Sequence, residues 1–215
     1  MKRMMCFLLV FVMIFLLTAC GPTEKDKLLG TWKGEVDMTH LFNESIATEG
    51  GEDVSAYMEI QDFTLVIALN FYEDDTYSMV VDEDALMVTV EGAKDDLKAG
   101  LERYLMETVS AALGVEMPIE ELLEYAGISM DEITDGIFTQ ELIDEMVDGI
   151  NSAGHFLAEE GKLYLSGGLG YEIDKSVYES YSLDGDVLTL VEFISGEEVD
   201  EFTKALYPME FHKAS

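Results

Sequence analysis

Phe63-Thr64-Leu65-Val66-Ile67-Ala68-Leu69-Asn70-Phe71-Tyr72-Glu73-Asp74-Asp75-Thr76-Tyr77-Ser78-Met79-Val80-Val81 is the stretch that decides the fold. Phe63 to Tyr72 is rich in β-branched and aromatic residues. Glu73-Asp74-Asp75 is a turn signal, and Thr76 to Val81 is a second extended run. Two such runs across a polar turn read as a β-hairpin. Side chains alternate between the faces of a strand, so Phe63, Leu65, Ile67, Leu69 and Phe71 share one face. That face either lines an interior or fills a closed core.

Similar units follow towards the C-terminus. His155–Leu157 and Lys162–Leu165 flank the turn Glu159-Glu160-Gly161. Val177–Leu183 and Val187–Ile194 flank Asp184-Gly185-Asp186, a strong hairpin signal. Leu206–His212 reads as a closing strand. On the N-terminal side, residues 28–38 around Trp32 read as a first strand. The polar stretch 43–55 reads as a loop that can include a turn of helix. The count is about eight strands. Consecutive hairpins give an up-and-down antiparallel sheet, and eight strands can close into a barrel that has no free edge.

Between the two halves the period changes. Leu97, Leu101, Leu105, Val109 and Ala112 recur every three or four residues, the spacing of one helix face. Pro118 suits a helix start and Gly127 a helix stop. Ser129-Met130-Asp131-Glu132 has the form of a capping box. The following helical stretch is divided near Gly136 and Thr139. Residues 83–152 are therefore expected to be a helical insertion. The fold class is α+β: about eight antiparallel strands in a barrel over residues 28–215, with that insertion.

The chain starts Met1-Lys2-Arg3, runs apolar from Met4 to Leu17, and reaches Thr18-Ala19-Cys20. A basic start, a short apolar run and small residues make a secretory signal. The run is short for a membrane span, which needs about 20 residues. Leu17-Thr18-Ala19-Cys20 resembles the lipobox of bacterial lipoproteins. That resemblance implies removal of residues 1–19, acylation of Cys20, and a home on the extracytoplasmic face of the cell membrane. Two acyl chains hold a protein stably where one does not. Residues 20–27 then read as the lipidated N-terminus and a short polar tether.

Processing would take 19 of the 215 residues and leave 196, a length that suits one domain. Lys2 and Arg3 leave with the signal, so the formal net charge goes from −33 to −35. Such a surface disfavours nucleic acid and anionic lipid as partners. It favours solubility, and it attracts cations or a basic partner. Cys6 lies in the signal and Cys20 carries lipid, which leaves the body without a disulfide or a free thiol.

Gly30-Thr31-Trp32, with its leucine lead-in, resembles the Gly-x-Trp motif that opens lipocalins and lipocalin-like domains. The segments Tyr181–Leu190 and Tyr207–Phe211 resemble the last strands of lipocalin-like lipoproteins. The resemblance implies a barrel whose base is closed by Gly30 and Trp32, and which holds small apolar molecules or has no known ligand. Trp32 reads as a plug rather than a ligand platform, since large aromatic side chains usually carry core burial. Lipocalins commonly stack an arginine on this tryptophan near the end of the barrel. Here the only arginine past the signal is Arg103, in the expected insertion. Lys204 or Lys213 can take the place but lacks the planar head.

No sequence pattern argues for an enzyme, and no cofactor is implied. His40, His155 and His212 lie far apart and outside any metal-spacing motif. Gly167-Gly168-Leu169-Gly170 lacks the lysine and helix of a phosphate loop and reads as a flexible hairpin loop. Asp82-Glu83-Asp84 and Glu73-Asp74-Asp75 offer oxygens for Ca²⁺ but lack EF-hand spacing, so they read as solvated turns. The chain therefore reads as an exported, lipid-anchored binding protein for a small apolar molecule or peptide. The alternative is a non-enzymatic envelope scaffold that uses the acidic surface and the helical insertion. A barrel interior without a cavity of about 300 Å³ would count against the small-ligand version.

Overall fold

The computed structural model describes residues 23–50, 56–113, 118–127, 129–196, 198–199 and 201–214. Residues 1–22, which include the expected signal, Cys20 and the start of the expected tether, lie outside these. The strands are β1 (Gly30–Asp37), β2 (Thr64–Phe71), β3 (Thr76–Val81), β4 (Ser152–Glu159), β5 (Lys162–Leu165), β6 (Tyr178–Asp184), β7 (Val187–Ile194) and β8 (Met209–Lys213). Each pairs antiparallel with its sequence neighbour, and β8 pairs back onto β1, closing the barrel in the order β1 to β8. The expected fold class is the one observed.

The period-2 reading of β2 holds residue by residue. Phe63, Leu65, Ile67, Leu69 and Phe71 are all buried, with half-buried residues alternating between them. Across the interior they meet Trp32, Val36, Phe156, Leu163, Leu188, Leu190 and Phe211. The turn between β4 and β5 has Glu160 at φ 54° and Gly161 at φ 73°. Positive φ at both central positions is what a two-residue type I′ hairpin demands.

Seven helices accompany the strands among the described residues: α1 (Glu24–Leu28), α2 (Thr39–Gly50), α3 (Glu83–Leu113), α4 (Ile119–Ala126), α5 (Met130–Ile137), α6 (Gln140–Ile150) and α7 (Glu201–Leu206). Helices α3 to α6 form the expected insertion between β3 and β4. Ser129 accepts from the Glu132 N–H at 3.4 Å, and Thr139 accepts from the Leu142 N–H at 3.2 Å, so α5 and α6 start separately. Gly127 stops α4 in the left-handed region. The buried seam of α3 lies further toward its N-terminus than expected. Leu86, Val90, Ala93 and Leu97 are buried, while Leu101 and Leu105 are half-buried. The first part of α3 rests on β2, and its later turns pack against residues 57–58. Lys94–Asp135 and Lys98–Asp131 pairs, at 2.8 and 2.7 Å, join α3 to α5. No helix of the described residues is long and apolar enough to cross a membrane.

Three expectations are corrected. Of the expected loop 43–55, residues 43–50 belong to a helix, Thr39–Gly50, and residues 51–55 lie outside the described residues. The helix is tied down by tertiary bonds: Phe63 N–H to Thr39 Oγ1 at 2.8 Å, and a two-way exchange between the Asn43 amide and the Ile60 backbone at 2.8 Å each. The last strand begins at Met209, because Glu201–Leu206 is helical and Pro208 follows it. In the tether, Thr23 caps α1 with a full capping box formed with Asp26. Residues 24–28 are therefore folded onto the barrel and are not a free spacer.

The antiparallel order sorts the connections by length. The tight turns between β2 and β3, β4 and β5, and β6 and β7 all fall at one end. The long connections, carrying α2, the α3–α6 insertion, the 166–177 loop and α7, all fall at the other. The barrel thus has a plain base and an elaborated mouth.

Candidate functional site

At the base, Trp32 is fully buried. Its indole N–H donates to the Leu28 carbonyl oxygen at 2.6 Å, and Lys213 Nζ sits 4.9 Å from the ring centroid. Lys213 is the cross-strand partner of Trp32 in the β1–β8 seam, and its Nζ also donates to the Lys27 carbonyl at 3.3 Å. Gly30 opens β1 at φ +115°, a conformation that disfavours any side chain, and the site of its missing Cβ is 3.4 Å from Lys213 Cε. Helix α1 covers this end. Lys25 Nζ pairs with Asp75 at 2.5 Å, and Glu24 Oε2 accepts from Tyr181 Oη at 3.1 Å and from the Gly161 N–H at 3.3 Å. Gly30 and Trp32 thus sit where a plug would. The cation over the tryptophan is a lysine contributed by the last strand.

The mouth is different. Between the upper strands and the ends of α6 and α7 lies a cavity of about 260 Å³, lined chiefly by Val36, Leu65, Ile67, Met79, Ile150 and Met209. Glu179 and Tyr207 also face it. Glu179 is 8 % exposed. Its Oε2 is the one buried side-chain oxygen or nitrogen without a hydrogen-bond partner among the described residues. The Tyr207 hydroxyl is the neighbour that acts on its carboxyl as a hydrogen-bonding group. Burial pushes the Glu179 carboxyl up to about 7, and the bond from Tyr207 only partly offsets this. The same burial, with Glu179 alongside, pushes the Tyr207 hydroxyl up. Tyr77, whose hydroxyl donates to the Ser166 carbonyl at 3.0 Å, is raised mainly by its own burial and also feels Glu179. No basic side chain contributes to the shift at Glu179.

Glu179 was not singled out from the sequence. The signal was there: in Val177-Tyr178-Glu179-Ser180-Tyr181-Ser182-Leu183 the acid alternates in phase with Val177, Tyr181 and Leu183. An acid in the apolar phase of a strand points at an interior.

The cavity is smaller than about 300 Å³, where sites for drug-sized ligands begin. A guest held in this cavity would have to be smaller than that. A larger apolar groove of about 490 Å³ lies outside the barrel on the helical layer. It runs between α2, α5 and α6, lined by Leu41, Phe42, Ile46, Phe138, Leu142 and Met146. Met38 belongs to the walls of both spaces.

The other candidates disperse. His40 is on α2, His155 on β4 with Nε2 3.2 Å from the Leu169 carbonyl, and His212 on β8 with Nε2 3.1 Å from Glu210. Among the described residues no three His, Cys, Asp or Glu side chains group as metal ligands. Asp74 accepts from the Thr76 hydroxyl at 2.6 Å, and Asp82 accepts from the Ala85 N–H at 3.1 Å at the start of α3. The 167–170 loop is tied down: the buried Ser166 hydroxyl donates to the Gly168 carbonyl at 2.9 Å and accepts from the His155 N–H at 2.8 Å. Arg103, far from Trp32 in sequence, donates to the Tyr57 carbonyl at 3.3 Å. The chain matches no protein-family model, no curated protein and no solved structure.

Proposed function

We propose that this chain is an exported, lipid-anchored binding protein that takes a small ligand at the mouth of its barrel. The observation that carries this reading is the mouth cavity with an unpartnered buried carboxylate oxygen facing it. Burying a polar atom without a partner costs about 1–3 kcal/mol. A fold that retains such an atom at the edge of a cavity is furnished for a guest that completes its bonding.

The anchor belongs to the same reading. The lipobox resemblance puts acyl chains on Cys20, three residues before the cap Thr23. Three residues span at most about 11 Å. Helix α1 is bonded to the base, so acylation of Cys20 holds the base beside the bilayer and turns the mouth away from it. Cys20→Ser should abolish palmitate labelling and move the chain from the membrane fraction to the soluble one. Native mass spectrometry of the chain released from its own host's membranes should show a retained small molecule. A ligand-free spectrum from freshly isolated protein counts against binding.

A second reading has one observation in its favour, the apolar groove on the helical layer. In it the groove and the acidic surface dock another envelope component, and the barrel is a scaffold. Salt-sensitive capture of a basic partner from intact envelopes, lost on Phe42→Asp, would favour this reading over the first.

A further inference from the structure

We propose that the mouth cavity binds a small primary ammonium group carrying a short apolar body, with Glu179 as its counter-ion. The inference rests on the binding reading above and names the ligand's chemistry. Tyr207, which lines the same cavity, is the one hydrogen-bonding neighbour that shifts the carboxyl. The free Oε2 requires a second donor. A neutral donor would satisfy the hydrogen bond, but an ammonium also compensates the charge, and hydrogen bonds to charged groups are the stronger class. The groups that shift Glu179 include no cation, and the tyrosines 77 and 207 are the titratable neighbours coupled to it. Among the described residues, none therefore compensates the charge of this acid.

The remaining walls select the body. Val36, Leu65, Ile67, Met79 and Met209 present hydrocarbon and thioether surfaces. They reward a short alkyl or aryl chain and offer nothing to a polar one. The formal net charge of −33 adds a long-range term that concentrates cations around the body and repels anions. Head, body and field select the same class of molecule.

The test uses the full chain in zwitterionic lipid nanodiscs, with n-hexylammonium, hexanol and hexanoate as probes and calorimetry near pH 7.5. Hexylammonium should bind at least about tenfold tighter than hexanol, the factor that follows from a charge-assisted bond of about 1.5 kcal/mol or more. Hexanoate should bind weakest. Glu179→Gln should remove that advantage and leave hexanol within about twofold of the unaltered chain. Should Glu179→Gln fail to fold, NMR of the Glu179 carboxyl carbon in the unaltered chain gives a second readout. Saturating hexylammonium should then lower its pKa by about one unit or more, by reciprocity of binding and proton release. Equal binding of hexylammonium and hexanol would overturn the ammonium assignment and leave the binding role standing. Failure of all three probes would overturn both. Hexylammonium binding that is unchanged in Glu179→Gln would place it elsewhere and overturn the site.

Discussion

The indole N–H of Trp32 donates to the backbone carbonyl of Leu28 at 2.6 Å, inside a base from which water is excluded. One side chain thereby does two jobs. Its rings fill the end of the barrel, and its nitrogen satisfies the end of helix α1, whose last carbonyls have no partner within so short a helix. The first strand and the segment that leads into it are locked together before any long-range strand pairing is considered.

Trp32→Phe keeps most of the buried ring but removes the donor, which leaves the Leu28 carbonyl unpaired. The expected loss is about 1–3 kcal/mol. Trp32→Ala should cost about 3–5 kcal/mol, since it also leaves a cavity. Urea denaturation of the two variants measures both. A Phe variant as stable as the unaltered chain would show that the bond contributes nothing.

Lys213 holds its ammonium over the same ring at 4.9 Å while its side chain remains exposed. Cation–π contacts at exposed sites are worth about 0.5–1 kcal/mol. Lys213→Ala should lower stability by that order. Lys213→Arg should match or exceed the unaltered chain, because a guanidinium can also stack flat on the indole. A large loss in the Arg variant would mean that the Lys27 carbonyl, rather than the ring, selects the lysine.

Glu179 makes stability depend on pH in a definite direction. Its folded pKa, about 7, lies above the 4.5 of a solvated glutamate. Between these values the folded state binds more protons than the unfolded one. The contribution of this group is therefore fully present below about pH 4.5 and is lost as pH rises through about 7. For a group this buried the span corresponds to about 3 kcal/mol. Comparing urea midpoints of the unaltered chain and Glu179→Gln from pH 4.5 to 8 isolates it from the other carboxylates. Only the unaltered chain should show the extra decline; parallel profiles would mean that the carboxyl is solvated.

The barrel is closed by a short seam in which Gly34 faces Phe211. A Cβ on Gly34 would lie 2.6 Å from the Glu210 carbonyl oxygen and 2.7 Å from Phe211 Cδ1. Gly34→Ala should therefore cost about 1–3 kcal/mol by overpacking. Amides of β8 should then exchange faster than those of β2. Uniform exchange across both strands would indicate that the seam yields without opening.

Much of the fold was legible because strands and turns are local. The alternation in β2 and the glycines at 161 and 185 specify extended segments and hairpins from a few neighbouring residues. The α3–α6 insertion was legible for a similar reason: its caps at Ser129 and Thr139 and its stop at Gly127 are short-range signals. Helix α2 was not. Thr39–Gly50 mixes Asn43 and Thr48 with a short apolar face of Leu41, Phe42 and Ile46, and it is held by the exchange between Asn43 and Ile60 across the connection to β2. In the site, Gly30 and Trp32 were readable from a motif, whereas Glu179 was one acid among 45 acidic residues.

By itself the sequence determined the succession of strands, the position of the helical insertion and the strongly acidic character of the body. These follow from periodicity and composition, which do not require knowing what lies opposite a residue. Only closure of the barrel decided that Lys213 stands over Trp32, that α1 covers the base and that Glu179 faces a largely apolar cavity. Each of those facts joins residues distant in the chain. The energies involved, desolvation above all, are set by what surrounds a group in space.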